Sequence, residues 1–199
     1  MTQDKRLAIV LLLNLAMIAG LVLVGLASHS LGVLAAGGDY IGDAAAIGVS
    51  IMALRLSRHK HGHPKATSYA ALVNAGFLLC VTTIVIIEAI RRLTTRTPHI
   101  EGLPVLLVST VAAVVMIGGA FILGGDKENK DLNMRSVMLD TVADATAAAG
   151  VAVAGGIILV TKGHYWLDSA VALIIGLVVG YHALKLLREV FVELRQRSL

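Results

Sequence analysis

Runs of about twenty apolar residues, the length needed to cross roughly 30 Å of hydrocarbon, recur six times in this chain, at 7–27, 31–54, 69–90, 103–124, 134–160 and 165–187. A soluble core has no use for so much apolar surface. Hydrophobic residues make up 57% of the 199 and charged residues 15%, whereas ordinary globular domains run near about 45–50% and about 25%. The sequence therefore predicts an all-α membrane protein with six transmembrane helices, since a helix satisfies every backbone hydrogen bond within its own segment. Connections are short, the longest being Ser57 to Ser68 and Thr94 to Pro104, and the chain after Lys185 continues the last helix. A second globular domain of at least about 50 residues finds no room. The expectation is one transmembrane domain over 1–199, with no soluble C-terminal domain.

Lys5 and Arg6 precede the first run. That run is longer than the roughly 7–15 apolar residues of a secretory signal, and Asn14 interrupts it, so it reads as a retained helix. Basic residues set the orientation, because short cytoplasmic loops carry an excess of Lys and Arg. With both termini inside, Lys5, Arg6, Arg55, Arg58, Lys60, Lys65, Lys127, Lys130, Arg135, Lys185, Arg188, Arg195 and Arg197 are cytoplasmic, and only Arg91, Arg92, Arg96 and Lys162 lie opposite. Both termini are accordingly expected in the cytoplasm, in a bacterial inner membrane. The same distribution accounts for the net charge of +4 without nucleic acid as a partner, since the charges sit at helix ends and form no patch with interleaved aromatics. A single cysteine, Cys80, excludes a disulfide framework or a thiolate cluster within one chain and reads as a small buried hydrophobe.

Against this background four aspartates stand out: Asp39 and Asp43 in the second apolar run, and Asp140 and Asp144 in the fifth. Members of each pair are four residues apart, so both carboxylates project from one helix face, one turn above the other. An acid at mid-bilayer costs roughly 2.5–3.5 kcal/mol on insertion scales and marks an ion or proton pathway by default. A plainer reading is that protonated acids hydrogen-bond helix to helix, but it does not explain the same pair on two helices. Four ionised carboxylates in a dry interior would repel one another. A dication relieves that repulsion, so metal and protons compete for the same oxygens, the physical basis of antiport. Gly38, Gly42 and Ala44–Ala46 on one helix, with Ala143, Ala145 and Ala147–Gly150 on the other, permit close backbone approach, as do Gly38-x-x-x-Gly42 and Gly176-x-x-x-Gly180.

The segments Leu34-Ala-Ala-Gly-Gly-Asp39-Tyr-Ile-Gly-Asp43 and Asn133-Met-Arg-Ser-Val-Met-Leu-Asp140-Thr-Val-Ala-Asp144 resemble the paired His/Asp-x-x-x-Asp motifs of the cation diffusion facilitator family. Tyr69-Ala-Ala-Leu-Val-Asn74 resembles the start of that family's third helix, and Trp166-Leu-Asp168-Ser-Ala-Val-Ala-Leu the start of its sixth. The resemblance covers essentially the whole chain. It implies the family's six-helix cation-efflux bundle, export of divalent transition metals against protons, a homodimer, and a tetrahedral metal site at Asp39, Asp43, Asp140 and Asp144. Two departures carry weight. Family members often have histidine where this chain has Asp39 and Asp140; an all-oxygen set also suits manganese or iron(II), while zinc accepts carboxylate oxygen. Zn2+ or Cd2+ is therefore the favoured cargo and manganese or iron the second, with no tightly bound cofactor. Most members also carry a cytoplasmic ferredoxin-like domain after the sixth helix.

His59, His61 and His63 in the loop after the second helix form a possible secondary metal site that captures or feeds the ion; a solvated loop among Arg58, Lys60 and Lys65 is an equal alternative. His29, His164 and Asp168 read as water-accessible interfacial residues, Tyr165 and Trp166 as members of an aromatic belt, Asn14 and Asn74 as interhelical hydrogen bonders, and Glu88 as a helix-face partner of Arg91 and Arg92. No nucleophile with its base and no nucleotide fingerprint occurs, so the chain reads as no enzyme. A non-transporting metal-binding subunit is the rival class. An exporter of organic cations is disfavoured by an aromatic content of 4%, since such cations are commonly held on aromatic faces.

Overall fold

A computed structural model describes the backbone of residues 3–57, 64–124 and 132–196, and side-chain burial at 12–13, 15–42, 44–45, 48, 71–118 and 141–192. The described residues form six helices and no strand: α1 (Gln3–Ala27), α2 (Leu31–Ser57), α3 (Pro64–Thr94), α4 (Gly102–Gly124), α5 (Leu132–Thr161) and α6 (Trp166–Gln196). Each coincides with one apolar run, and most outrun it, because helical hydrogen bonding continues past the hydrocarbon. α3 begins earlier than its apolar run, with Pro64 at the first helical position, where its missing N–H costs nothing. Ala71–Thr94, Thr141–Thr161 and Trp166–Val192 are by themselves long and apolar enough to cross a membrane; Leu15–Ala27 and Gly102–Gly118 are apolar over shorter described lengths.

The packing inverts that of a soluble bundle. Inside sit small residues, among them Ala75, Ala89, Ala112, Ala148, Ala172 and Ala183, all at most 1% exposed. Outside, Leu103, Leu107, Val111, Val114 and Ile117 recur every three or four residues along α4 and are all exposed, as a lipid-facing stripe would be. Between helices in lipid, close contact of small residues replaces the hydrophobic driving force. Cys80 follows the same rule and corrects the expectation of a buried thiol: it is exposed, on the outward stripe of α3 with Phe77, Ile84 and Ile87. An apolar thiol gains nothing from burial when the surroundings are themselves apolar.

α4 packs along α5 and α3 along α6, while α2 touches α1, α3, α5 and α6. α2 is thus the helix around which the others gather. Both small-residue motifs face α3. A Cβ on Gly38 would stand 2.9 Å from Val81 Cγ1 and one on Gly42 2.5 Å from Leu78 Cδ2, while one on Gly176 would stand 3.1 Å from Ile86 Cγ1.

Three turns meet at one end of the bundle. α1 closes with hydrogen bonds from the His29 N–H to the Leu26 carbonyl (3.4 Å) and from the Ser30 N–H to the Gly25 carbonyl (3.0 Å). His29 takes the left-handed conformation (φ 57°) that this helix ending demands at its first residue past the cap. Arg92 Nη1 of α3 donates to the His29 carbonyl (2.8 Å), and its Nε lies 2.9 Å from Glu88 Oε1. Arg91 Nε is 2.9 Å from Glu88 Oε2, so the expected pairing of Glu88 with both arginines is present. The rings of His99 and Tyr165, from the other two turns, stand with centroids 5.0 Å apart.

Candidate metal centre

Two contacts align α2 and α5 antiparallel. A Cβ on Gly32 would lie 3.5 Å from Val151 Cγ1, and the Tyr40 hydroxyl donates to the Asp144 carbonyl at 3.5 Å. Moving eight residues along α2 therefore corresponds to moving seven back along α5, a spacing consistent with two helices of equal rise. Asp39, beside Tyr40, lies at the level of Asp144. Asp144 is 7% exposed and Tyr40 1%; Asp39 is half-buried. One turn from Asp144, toward the Asp140 end, Thr141 is also buried.

Positions 43 and 140 belong to α2 and α5, but their side chains lie outside the described residues, as do His59, His61, His63 and the side chain of Asn14. Among the described residues no group of three or more His, Cys, Asp or Glu gathers to hold a metal. The structure thus brings Asp39 and Asp144 to one level on facing helices.

The neighbourhood of the acid pair on α2 is built by α3. Asn74 is buried and its Nδ2 donates to the Gly42 carbonyl at 3.3 Å, the interhelical bond expected of it. It ties α3 to the peptide immediately before Asp43. Interhelical bonds of this kind contribute about 0.6 kcal/mol on average and up to about 1.7. Asn74→Ala should destabilise the detergent-purified protein by that modest free energy, read as a slightly lowered melting midpoint; an unchanged midpoint would show the bond to be energetically silent.

The reading of Asp168 as a water-accessible residue is overturned: it is 1% exposed. From the first turn of α6 it reaches the N-terminus of α2. Its Oδ2 accepts from the Leu31 N–H (2.7 Å), and its Oδ1 accepts from the Gly32 N–H (3.2 Å) and the Ser30 hydroxyl (2.5 Å). Ser30 Oγ in turn accepts from the Val33 N–H (3.1 Å), so the first three amide donors of α2 are all satisfied. Sequence reasoning missed Ser30 as the cap, although a serine just before an apolar run is the signal that could have found it. The acid gave no such signal, because a carboxylate in a first turn ordinarily serves its own helix, and this one serves a helix 137 residues away in sequence. His29 and His164 are exposed as expected, and so is Trp166, whereas Tyr165 is half-buried, its hydroxyl donating to the Lys162 carbonyl at 3.1 Å.

Comparison with known proteins agrees with this architecture. The zinc transporter ZitB of Pectobacterium atrosepticum is 32% identical over 200 residues, covering 96% of this chain and 61% of that protein. ZitB of Escherichia coli K12 is 31% identical over 186 residues, covering 88% and 59%, and the metal cation efflux system protein CzcD of Cupriavidus metallidurans is 26% identical over 181 residues, covering 88% and 56%. The chain thus spans about three-fifths of the length of these curated relatives. The model of the cation efflux transmembrane domain matches residues 7–195, nearly all of the six-helix bundle together with both aspartate-bearing helices. The chain belongs to the cation efflux family of membrane proteins.

Proposed function

We infer that this protein exports a divalent transition-metal ion in exchange for protons, with Asp39, Asp43, Asp140 and Asp144 as the ion's ligands and no chemical conversion of the cargo. The observation that carries this reading is the burial of Asp144 on α5 at the level of Asp39 on α2, fixed by the Tyr40 contact. Continuing the same antiparallel register by one turn takes position 43 of α2 to the neighbourhood of position 140 of α5. Zinc and cadmium are the favoured cargo, supported by the relatives named zinc transporter and by zinc's acceptance of carboxylate in four-coordinate sites. Manganese and iron(II) are second, because four oxygens form a hard donor set. The basic-residue bias supports cytoplasmic termini and outward placement of the three joined turns, and the bacterial relatives support a bacterial inner membrane. The protein works as a homodimer, and His59, His61 and His63 deliver metal from the cytoplasmic side.

Proton coupling follows from competition for the same oxygens: a carboxylate that binds metal must be deprotonated, so loading releases protons and acid expels the metal. Liposomes containing the purified protein and a metal-sensitive dye should show zinc flux that accelerates with an imposed pH gradient of the driving sign and stops when it is collapsed. Flux indifferent to the gradient argues against exchange. Tight zinc binding with no flux under either condition identifies a non-transporting metal-binding subunit.

A further inference from the structure

The α1–α2 corner is held from two sides by the α3·α6 pair. Arg92 of α3 takes the carbonyl of His29, and Asp168 of α6 takes the Leu31 and Gly32 amides and the Ser30 hydroxyl. The second junction is flush: a Cβ on Gly32 would stand 2.9 Å from Asp168 Oδ1 and 3.5 Å from its carbonyl oxygen. The start of α2 thus abuts α6 directly. Asp39 follows Leu31 by eight residues, about 12 Å down a continuous helix at 1.5 Å per residue. A helix that slips by one residue at its cap turns every later side chain by about 100°, which would carry Asp39 away from α5.

We propose that Asp168 is a positioning residue for the aspartates of α2: by capping that helix from α6 it sets the axial register and rotation that present Asp39 to α5. The proposal rests on the reading of Asp39 as a metal ligand. Its chemistry is a division of labour between two acids, one that meets the cargo and one, fully buried, that holds the helix carrying the first.

The test uses the purified full chain in detergent, titrated with zinc chloride alone, and amide hydrogen exchange measured over residues 31–43 without metal. Asp168→Ala should weaken zinc binding of the folded, monodisperse protein by about tenfold or more, the effect of losing residues that orient ligands without touching the metal. Asp168→Asn, which keeps one acceptor oxygen, should recover part of that loss. Exchange in Asp168→Ala should rise past the cap as far as residue 39. Gly32→Ala keeps the carboxylate and pushes the junction apart, so it should weaken zinc binding too; it decides the matter if Asp168→Ala cannot be recovered folded. A purely structural cap would lower the melting midpoint while leaving zinc affinity of the folded fraction and exchange beyond residue 33 at wild-type values, and that result overturns the proposal. Should the wild-type protein bind no zinc, the metal-site reading fails, and hydrogen exchange alone then decides whether Asp168 sets α2.

Discussion

Asp144→Ala is expected to eliminate measurable zinc binding and zinc flux together. The side chain is buried at the level where the Asp144 carbonyl accepts from Tyr40 of α2, and removing a ligand costs more than the ten- to hundredfold typical of lost outer partners; a decrease of about a hundredfold or more is anticipated. Competition of the purified variant against a zinc-sensitive dye reads the affinity, and the liposome assay reads the flux. Wild-type affinity in Asp144→Ala would remove the proposed ligand set.

Among the described glycines, Gly102→Ala should be the most damaging change to alanine. A Cβ there would stand 2.6 Å from the Leu159 N, 2.7 Å from the Gly155 O and 3.0 Å from the Leu159 Cα, all backbone atoms that no rotamer change can withdraw. The reciprocal position is as tight, since a Cβ on Gly155 would lie 2.8 Å from the Leu106 N. α4 and α5 would have to separate along their length, and overpacking of this kind costs about 1–3 kcal/mol. Gly76 and Gly118 provide the control. Nothing lies within 4 Å of a Cβ at either, so alanine there should be neutral or stabilising by up to about 1 kcal/mol through helix propensity. Equal melting midpoints for Gly102→Ala and Gly76→Ala would show that α4 and α5 do not approach this closely.

The two kinds of glycine look alike in the sequence. Gly155, Gly76 and Gly118 sit in apolar helical runs and Gly102 immediately before one, and only the identity of the neighbouring helix distinguishes a contact glycine from an outward one. The motifs with a four-residue repeat were more legible: Gly38 with Gly42 and Gly176 with Gly180 announce a close approach, although not that both pairs would face α3. Cys80 shows where composition misleads. Burial is a sound expectation for a thiol in water, but in lipid the outward face is apolar as well, and the small residues take the interior.

Helix number and the acid pairs were set by local rules that operate along the chain: about twenty apolar residues per crossing, and four residues per turn for side chains that share a face. What meets what was decided by packing. The level at which Tyr40 touches the Asp144 peptide, the bond from Asn74 to the Gly42 carbonyl and the capping of α2 by Asp168 each join residues tens to more than a hundred positions apart. Such pairings depend on which helices become neighbours, and a periodic apolar run carries no label for its partner. Chemistry was thus readable one helix at a time, while the geometry that brings Asp39 level with Asp144 exists only in the assembled bundle.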